Sequence, residues 1–229
     1  MLSKNNKLIV ALDCKKLADS RRLVSELDSL VSFYKIGLRT FVTDGFNFAS
    51  ELKKKGKSIF LDLKLFDIQS TIEETVGKLS YLDIDFLTVH GDPSIVGAAS
   101  KGNKNDSMKI LAVTFLTNQN REDLDLSLIK GGDVQELVVE RASNAISAGA
   151  DGLISSPLEV PLLRTQKFME GKLIVTPGIR PKNGMNGDQK RIASPSEAVT
   201  AGADYIVVGR PIWQSTNPKI ETKRILNDL

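Results

Sequence analysis

AISAGADGLI at residues 145–154 and AVTAGADYIV at residues 198–207 are two copies of one sequence pattern. Each copy reads as the end of an amphipathic helix, a glycine that stops the helix, and then an apolar β-strand. A chain that repeats helix, turn and buried strand in this way stacks βα units beside one another. The pattern therefore indicates a fold assembled from repeated βα units.

On either side of the two copies, short runs rich in β-branched residues alternate with helical segments. The strand runs are 8–13, 33–37, 58–64, 86–90, 109–115, 152–155, 173–176 and 205–209. The helical segments lie near 15–30, 41–55, 70–82, 93–101, 134–148, 158–168, 194–201 and 217–228. Eight β-then-α units predict an α/β fold, a (β/α)8 TIM barrel that forms a single domain over residues 1–229. A doubly wound open sheet is the alternative, and the lack of a dinucleotide-binding loop makes it the second choice.

The composition excludes several classes of protein. The 31 basic and 28 acidic residues nearly balance and aromatic residues make up only 6% of the chain, so we expect no nucleic-acid partner. One cysteine and one histidine exclude an intramolecular disulfide framework and argue against a zinc site. No apolar run approaches the roughly 18 residues of a membrane span, and the apolar segment 8–12 is too short for a signal peptide. We therefore expect a soluble, cytoplasmic protein with no membrane partner.

Charged residues stand at the C-terminal end of the third strand, where a buried strand is normally apolar. Side chains alternate along a strand, so Asp62 and Lys64 share one face while Leu61 and Leu63 occupy the other. Because burying an unpaired charge costs several kcal/mol, such residues are either paired with each other or kept for chemistry. The choice between a structural ion pair and a reactive site depends on what else lies nearby.

Polar residues also follow the other strands, and in a (β/α)8 barrel these strand ends meet at one mouth. Lys35 shares the barrel-facing side of the second strand with Phe33, so the mouth is its route to solvent. With Asp62, Lys64 and Asp67 it would form a line of alternating charges that keeps both lysines protonated, so that one can serve as a general acid. The polar residues at the strand ends are Asp13, Lys35, Asp62, Lys64, His90, Thr117, Ser155, Arg180 and Arg210.

Two loops have the composition of a phosphate site. Residues 175–180 (VTPGIR) follow the seventh strand, and residues 207–211 (VVGRP) follow the eighth. Phosphate sites in these barrels recur in those two loops, where glycines expose backbone N–H groups and an arginine binds the anion. Plain turn chemistry is the alternative, because Pro-Gly forms turns in many contexts. The stretch 181–191 is rich in Gly, Asn and Lys, which suits a lid that closes over an anion.

Several of these residues also have a purely structural interpretation. Asp13 has the residue type and position of an N-cap for the following helix. His90 is better explained as a hydrogen-bonded structural imidazole than as a catalytic group, and Cys14 as a small packing residue. Carboxylates do gather at the mouth, but Lys35 and Lys64 would repel a cation, so we expect no metal.

Taken together, these positions resemble the orotidine 5'-phosphate decarboxylases along nearly the whole chain. The D-x-K-x-x-D element is shared with a wider group of decarboxylases. Together with Lys35, the T-P-G-I-R loop and the D-Q pair at residues 188–189, it is highly specific for this family. One departure follows the fourth strand, where the family usually has a glycine pair and a methionine but residues 90–97 read HGDPSIVG. The matching segments are 9–13, 34–37, 62–68 with Thr71, 176–180, 187–189 and 208–210.

The resemblance implies a decarboxylase that converts orotidine 5'-phosphate to UMP in de novo pyrimidine biosynthesis without a metal or an organic cofactor. It implies that Lys64 protonates C6 and that Asp62 lies against the substrate carboxylate. It also implies a homodimer in which Asp67 and Thr71 reach into the neighbouring subunit's site. The catalytic set would be Lys64, Asp62, Lys35 and Asp67, and the substrate-binding set Asp13, Lys35, Ile68, Thr71, Thr117, Arg180, Gln189, Gly209 and Arg210.

Two other functions remain open from the sequence. One is a magnesium-dependent relative, 3-keto-L-gulonate 6-phosphate decarboxylase or hexulose phosphate synthase, in which an acidic residue replaces Lys35. The other is a non-catalytic barrel that binds a nucleotide, which the intact set of Asp62, Lys64 and Asp67 argues against. Loss of activity on chelation would indicate the first, and UMP binding without turnover the second.

Overall fold

The computed structural model describes residues 7–180 and 192–229. Its eight parallel strands follow one another around a closed barrel, and the eighth strand pairs with the first. This confirms the predicted (β/α)8 barrel. The strands are β1 Leu8–Ala11, β2 Phe33–Gly37, β3 Ser58–Leu65, β4 Phe86–His90, β5 Lys109–Val113, β6 Gly152–Ile154, β7 Leu173–Thr176 and β8 Tyr205–Val208.

Helices follow the strands on the outside of the barrel. They are α1 Leu17–Glu26, α2 Leu38–Lys54, α3 Gln69–Leu79, α4 Pro93–Gly102, α5 Arg121–Leu126, α6 Val134–Ser147, α7 Val160–Arg164, α8 Pro195–Thr200, α9 Arg210–Trp213 and α10 Pro218–Asn227, with single 3-10 turns at Ser80–Leu82 and Lys167–Met169. The segment predicted near 158–168 is thus α7 plus a 3-10 turn rather than one helix. The short helices α5 and α9 were not predicted, because six and four residues are too few to show a helical period.

The glycines of the sequence repeat have the same backbone conformation in both copies. Gly149 has φ 109° and Gly202 has φ 110°, a region that residues with a Cβ rarely adopt. Each glycine comes just after a helix and three residues before a strand, at Gly152 and Tyr205. The repeat therefore does mark two equivalent helix-to-strand turns.

The apolar core has two layers. Residues that point outward from the strands, such as Ile59 and Leu61, pack with the buried faces of the helices. A smaller inner cluster fills the barrel itself: Ile9, Ala11, Phe33, Phe60, Phe86, Leu111, Val113, Ile154, Val175 and Val207. The alternation that put Phe60 on the same face as Asp62 and Lys64 is confirmed, so those charges point into the barrel.

Three aromatic rings close the N-terminal end of the barrel interior. The ring of Phe86 lies 5.0 Å from that of Phe33 and 5.2 Å from that of Tyr205, measured between centroids. The Phe33 and Tyr205 rings are 5.7 Å apart in an edge-to-face arrangement. The charged strand ends lie at the opposite, C-terminal mouth. Within the described ranges, no helix is both long and apolar enough to cross a membrane.

Candidate active site

Four charged side chains from three neighbouring strands form a continuous array at the barrel mouth. Lys35 Nζ lies 2.9 Å from Asp13 Oδ2 and 3.2 Å from Asp62 Oδ2. Lys64 Nζ lies 2.6 Å from the other carboxylate oxygen of Asp62. The order is therefore Asp13, Lys35, Asp62, Lys64, with each carboxylate or ammonium next to one of opposite sign. At about 4 Å or less, such neighbours attract by roughly 4 kcal/mol at an effective dielectric near 20.

Burial and pairing shift the ionisation of the two central members. Burial alone would raise the pKa of Asp62, but the ammonium groups of Lys35 and Lys64 outweigh it and lower that pKa from 3.8 to about 2. Burial alone would lower the pKa of Lys35, but the carboxylates of Asp62 and Asp13 raise it above its ordinary value. Both groups are therefore charged at neutral pH, and the array is held by attraction.

Exposure separates the roles of the two lysines. The Lys35 side chain is 9% exposed and Asp62 is 13% exposed, whereas the Lys64 side chain is 36% exposed. Both lysines line the cavity in the barrel mouth, and the Lys64 side chain is the more exposed of the two. Lys35 is therefore the enclosed centre of the array, and Lys64 is its more accessible lysine.

The array forms one wall of a cavity of about 300 Å³ in the mouth of the barrel. Its polar lining consists of Asp13, Lys35, Asp62, Lys64, Thr117 and Asn118, and its apolar lining includes Phe60, Val113, Ile154, Pro177 and Val207. A pocket with an apolar floor and a few convergent polar groups is typical of a small-molecule site. Thr117 lines the same cavity as the charged array, and its predicted contact with a substrate stays a prediction.

The β3 strand does not follow the regular ladder where its charges lie. Leu61 pairs with Leu87 and Leu65 with Val89, so three residues of β3 stand opposite the single residue Thr88 of β4. At this bulge Lys64 takes a left-handed backbone conformation, with φ 48°. Re-aiming a side chain is a common role of bulges beside active sites, and here the bulge directs Lys64 toward Asp62.

Thr88 was not identified from the sequence. Its hydroxyl accepts a hydrogen bond from the backbone N–H of Lys64 and donates one to Asp62 Oδ1, both at 3.0 Å. A signal for it was available, because Thr88 follows Phe86 by two residues and therefore shares its inward face. Asp13 was identified as a mouth residue, but its N-cap alternative is wrong. The N-cap of α1 is Lys16, and Asp13 pairs with Lys35 instead.

The predicted phosphate residues lie beyond strands β7 and β8. Arg180 is buried and donates from Nη1 to the Ile179 carbonyl at 2.8 Å. Gly209 is the N-cap of α9 and Arg210 is the first residue of that helix. Among the described residues, the lining of the 300 Å³ cavity includes neither arginine, nor Ser155 or His90. The predicted contact Gln189 and the predicted lid 181–191 fall outside the described residues.

Asp67, Ile68 and Thr71 are exposed, and none of them is among the described residues that line the 300 Å³ cavity. The Asp67 carboxylate accepts a hydrogen bond from the Ile68 backbone N–H at 2.7 Å. Ile68 is the N-cap of α3, and Thr71 lies in the first turn of that helix. Within one chain the fourth member of the array is therefore Asp13, which pairs with Lys35, and the predicted contribution of Asp67 to a neighbouring subunit's site stays a prediction.

His90 belongs to a separate polar cluster beside the mouth. Its Nδ1 lies 2.5 Å from Asp92 Oδ2 and 3.0 Å from Arg141 Nη2, and Arg141 also contacts Asp92 at 2.8 Å. Burial tends to raise the pKa of Asp92, but His90 and Arg141 hold it below its usual range. The imidazole is thus hydrogen-bonded as the structural interpretation expects. In residues 7–180 and 192–229, no group of three or more His, Cys, Asp or Glu is arranged to hold a metal ion.

Comparison with known proteins gives a consistent result. A relative from Jannaschia sp. named orotidine 5'-phosphate decarboxylase is 50% identical over 226 residues, which cover 98% of this chain and 99% of the relative. A relative of the same name from Ruegeria pomeroyi is 51% identical over 226 residues, covering 98% and 94%. The crystal structure of orotidine 5'-phosphate decarboxylase from Lactobacillus acidophilus superposes with a TM-score of 0.83 at 33% identity, covering 97% of this chain and 98% of that one.

A family model spans almost the whole of the described barrel. The model, described as Orotidine 5'-phosphate decarboxylase / HUMPS family, matches residues 6–225. The relatives and the family model confirm the resemblance and the enzyme class that the resemblance implied. The chain belongs to the orotidine 5'-phosphate decarboxylase / HUMPS family.

Proposed function

We propose that this chain decarboxylates orotidine 5'-phosphate to UMP, in de novo pyrimidine synthesis in the cytoplasm, with neither metal nor organic cofactor. The observation that carries the proposal is the Asp62 carboxylate held between the ammonium groups of Lys35 and Lys64 in the cavity wall. A reaction that builds negative charge on a carbon atom needs a fixed cation at that point and a proton source. Lys64 supplies both.

The proposed chemical step uses Lys64 as the proton donor. The bond from C6 to the carboxylate carbon breaks, carbon dioxide leaves, and the bonding electron pair stays on C6. The Lys64 ammonium stabilises this carbanion and transfers a proton to C6, which gives UMP and a neutral amine that solvent reprotonates. Asp62 lies against the substrate carboxylate and orients Lys64, and Lys35 holds Asp62 in place.

The remaining site residues bind the rest of the nucleotide. We assign the ribose to Asp13 and Lys35, and the pyrimidine to Thr117, which lines the cavity. We assign the phosphate to Arg180, Gly209 and Arg210 beyond β7 and β8. Gln189 would join the base to the phosphate. Phosphate binding far from C6 contributes binding energy that a decarboxylase can realise in the transition state.

We further propose a homodimer with shared sites. Large apolar side chains are exposed beside the mouth: Leu38 and Val42 lie one turn apart on α2, Phe46 follows the kink of that helix at Asp44, and Phe66 and Ile68 flank Asp67. Exposed apolar groups of this kind mark interaction surfaces. A second copy seated there would cover them and bring Asp67, Ile68 and Thr71 to the partner's array, where Asp67 would extend the line of alternating charges past Lys64.

Turnover of orotidine 5'-phosphate by purified protein tests the function. We expect its absorbance to fall without added metal, and we expect Lys64→Ala to lower kcat by at least about 10³-fold, since the variant loses both cation and proton donor. Lys101→Ala is the matched control, because Lys101 is exposed and pairs with Glu73 on the outer helices. If Lys64→Ala keeps most of the activity while the control behaves as wild type, the assigned role of Lys64 is wrong.

The magnesium-dependent alternative makes a different prediction for the same assay. That branch has an acidic residue in place of Lys35, whereas here Lys35 is the ammonium to which Asp13 and Asp62 are paired. Turnover that is unchanged in EDTA excludes the alternative, and turnover lost in EDTA and restored by magnesium supports it. A non-catalytic barrel would bind UMP and leave orotidine 5'-phosphate intact.

A further inference from the structure

We propose that Thr88 is a positioning residue that sets the conformation and aim of Lys64. The inference rests on the proposed role of Lys64 and adds a residue from β4 to the reaction. The backbone of Lys64 is unfavourable, because its φ of 48° is a left-handed conformation that residues with a Cβ rarely adopt. Such a conformation persists only where the surroundings hold it in place.

The surroundings of Lys64 at the bulge are well defined. Three residues, Asp62 to Lys64, face the single residue Thr88 across the β3–β4 ladder, so the backbone N–H of Lys64 has no regular partner on β4. The Thr88 hydroxyl takes that place by accepting from the Lys64 N–H at 3.0 Å. Thr88 is fully buried, so water does not offer the N–H an equivalent partner.

The same hydroxyl also fixes the other end of the lysine. Thr88 donates its proton to Asp62 Oδ1 at 3.0 Å, and that oxygen is the one that Lys64 Nζ contacts at 2.6 Å. One side chain thus ties the backbone of Lys64 to the carboxylate that holds its ammonium. Without the hydroxyl, the N–H would be buried unpaired and Asp62 would lose one of its donors. The bulge would then be free to relax and the ammonium to move.

Two substitutions of Thr88 test the positioning role. Valine removes the hydroxyl and keeps the shape of the side chain, whereas serine keeps the hydroxyl. We expect Thr88→Val to lower kcat about 10- to 100-fold, because a displacement near 1 Å of a reacting group has an effect of that order. We expect KM to change by less than about threefold, because Thr88 is not assigned to substrate binding. Thr88→Ser keeps the hydroxyl, and we expect it to keep kcat within about threefold of wild type.

The matched control is Thr114→Val. Thr114 is also a buried threonine at the end of a barrel strand, but its hydroxyl donates to the Ile154 carbonyl at 3.2 Å and does not contact the array. We expect this variant to keep the wild-type kcat even if it is less stable. If Thr88→Val does not fold, Thr88→Ala takes its place in the series. The proposal is overturned if the variant without the hydroxyl keeps the wild-type kcat. It is also overturned if kcat falls by the same factor in Thr88→Ser as in the variant without the hydroxyl.

A measurement without substrate keeps this proposal distinct from the proposed function. Hydrogen exchange of the Lys64 amide should be slow in the wild type and in Thr88→Ser, and much faster in Thr88→Val. Absence of turnover in the wild type would count against the proposed function, and the exchange rates would still report on the contact. Equal protection in all three proteins would overturn the positioning role of Thr88 whether or not the enzyme turns over.

Discussion

Asp62 is the residue on which the proposed chemistry depends most directly, because it touches both lysines and the hydroxyl of Thr88. Its carboxylate is kept ionised by these neighbours well below the pH at which a free aspartate takes up a proton. A neutral Asp62 would release Lys64 and leave Lys35 with one partner. The array therefore contributes both to the position of Lys64, the proposed proton donor, and to the stability of the barrel mouth.

The ionisation of Asp62 gives a prediction about stability. Its pKa is about 2 in the folded chain and 3.8 in the unfolded one, so the carboxylate contributes about 2 kcal/mol above pH 3.8 and loses it as the pH falls through 2. We expect the difference in unfolding free energy between wild type and Asp62→Asn to shrink from about pH 6 to about pH 3. Denaturant titrations of both proteins across that range measure it.

The control for this measurement is Asp125→Asn. Asp125 forms an exposed pair with Arg121, and its removal should change the unfolding free energy little at any pH. If the difference in unfolding free energy between wild type and Asp62→Asn stays constant down to about pH 3, the two lysines do not depress the pKa of Asp62. Lys35 acts at alkaline pH. Because its pKa is raised in the folded chain, its contribution to the unfolding free energy is present below pH 10.5 and is lost as the pH rises through the folded-state pKa, which lies above 10.5.

The sequence predicted that Lys35, Asp62 and Lys64 meet with alternating charges, but not the bulge that positions Lys64. Lys35, Asp62 and Lys64 were found because side-chain alternation places them inside a barrel, where charge is unusual. The same rule could place Thr88 on the inward face, but it did not predict the φ of Lys64 or the contact of Thr88 with the Lys64 N–H, because it assumes a regular ladder and the β3–β4 ladder is interrupted at that point. Whether Asp13 or Asp67 neighbours a lysine depends on loop geometry that periodicity does not encode.

The junction between β2 and α2 shows how tightly two elements enclose the array. Gly37 ends β2 and is the N-cap of α2. A Cβ at this position would overlap the Asp13 carboxylate and would lie 3.0 Å from Lys35 Nζ. The absence of a side chain at Gly37 is therefore what allows Asp13 and Lys35 to pair above the strand end.

We expect Gly37→Ala to damage the site. The added methyl group must displace Asp13 or Lys35, so we expect kcat/KM to fall by about tenfold or more and the unfolding free energy to fall by about 1–3 kcal/mol. Steady-state kinetics and denaturant titration measure the two effects. Wild-type values for both would show that the array tolerates a Cβ there.

Gly97→Ala is the matched control for that variant. Gly97 lies inside α4, and the nearest atom to an added Cβ is the Ala148 carbonyl oxygen at 3.9 Å. Alanine at this open helical position should leave kinetics unchanged and should stabilise the chain by up to about 1 kcal/mol.

The whole barrel could be predicted because its signals are repeated. Eight strand runs, amphipathic segments and the two glycine stops agree with one architecture, and each supports the others. The short helices α5 and α9 lacked such support. α5 is fixed by a local capping box between Asn120 and Asp123, and α9 begins at Arg210 after Gly209. Neither has enough turns to form an amphipathic face.

The proposed dimer makes a prediction that belongs to the assembly. Asp67→Ala and Lys64→Ala should each inactivate a homodimer, because every shared site loses one of its two contributors. Mixed dimers regain one site with an intact Lys64 and an intact Asp67, so exchange should restore about one quarter of wild-type activity. Activity is measured after equal amounts of the two proteins are mixed and subunit exchange is verified.

Each variant alone, treated in the same way, is the control for that mixture. Activity that stays at the level of the single variants after verified exchange would argue that Asp67 does not serve the partner's site. Recovery would also support the exposed face made by Leu38, Val42, Phe46, Phe66 and Ile68 as the contact surface.

The aromatic rings at the base of the barrel have a consequence for the way in which products depart. Phe33, Phe86 and Tyr205 line a second cavity below, which has no lining residue in common with the cavity that holds the array, as far as the described residues go. Carbon dioxide formed beside Asp62 would therefore meet a closed floor and travel outward past the nucleotide. Carbon dioxide and UMP would then leave through the same opening, so the order in which the two products are released would be a defined part of the catalytic cycle.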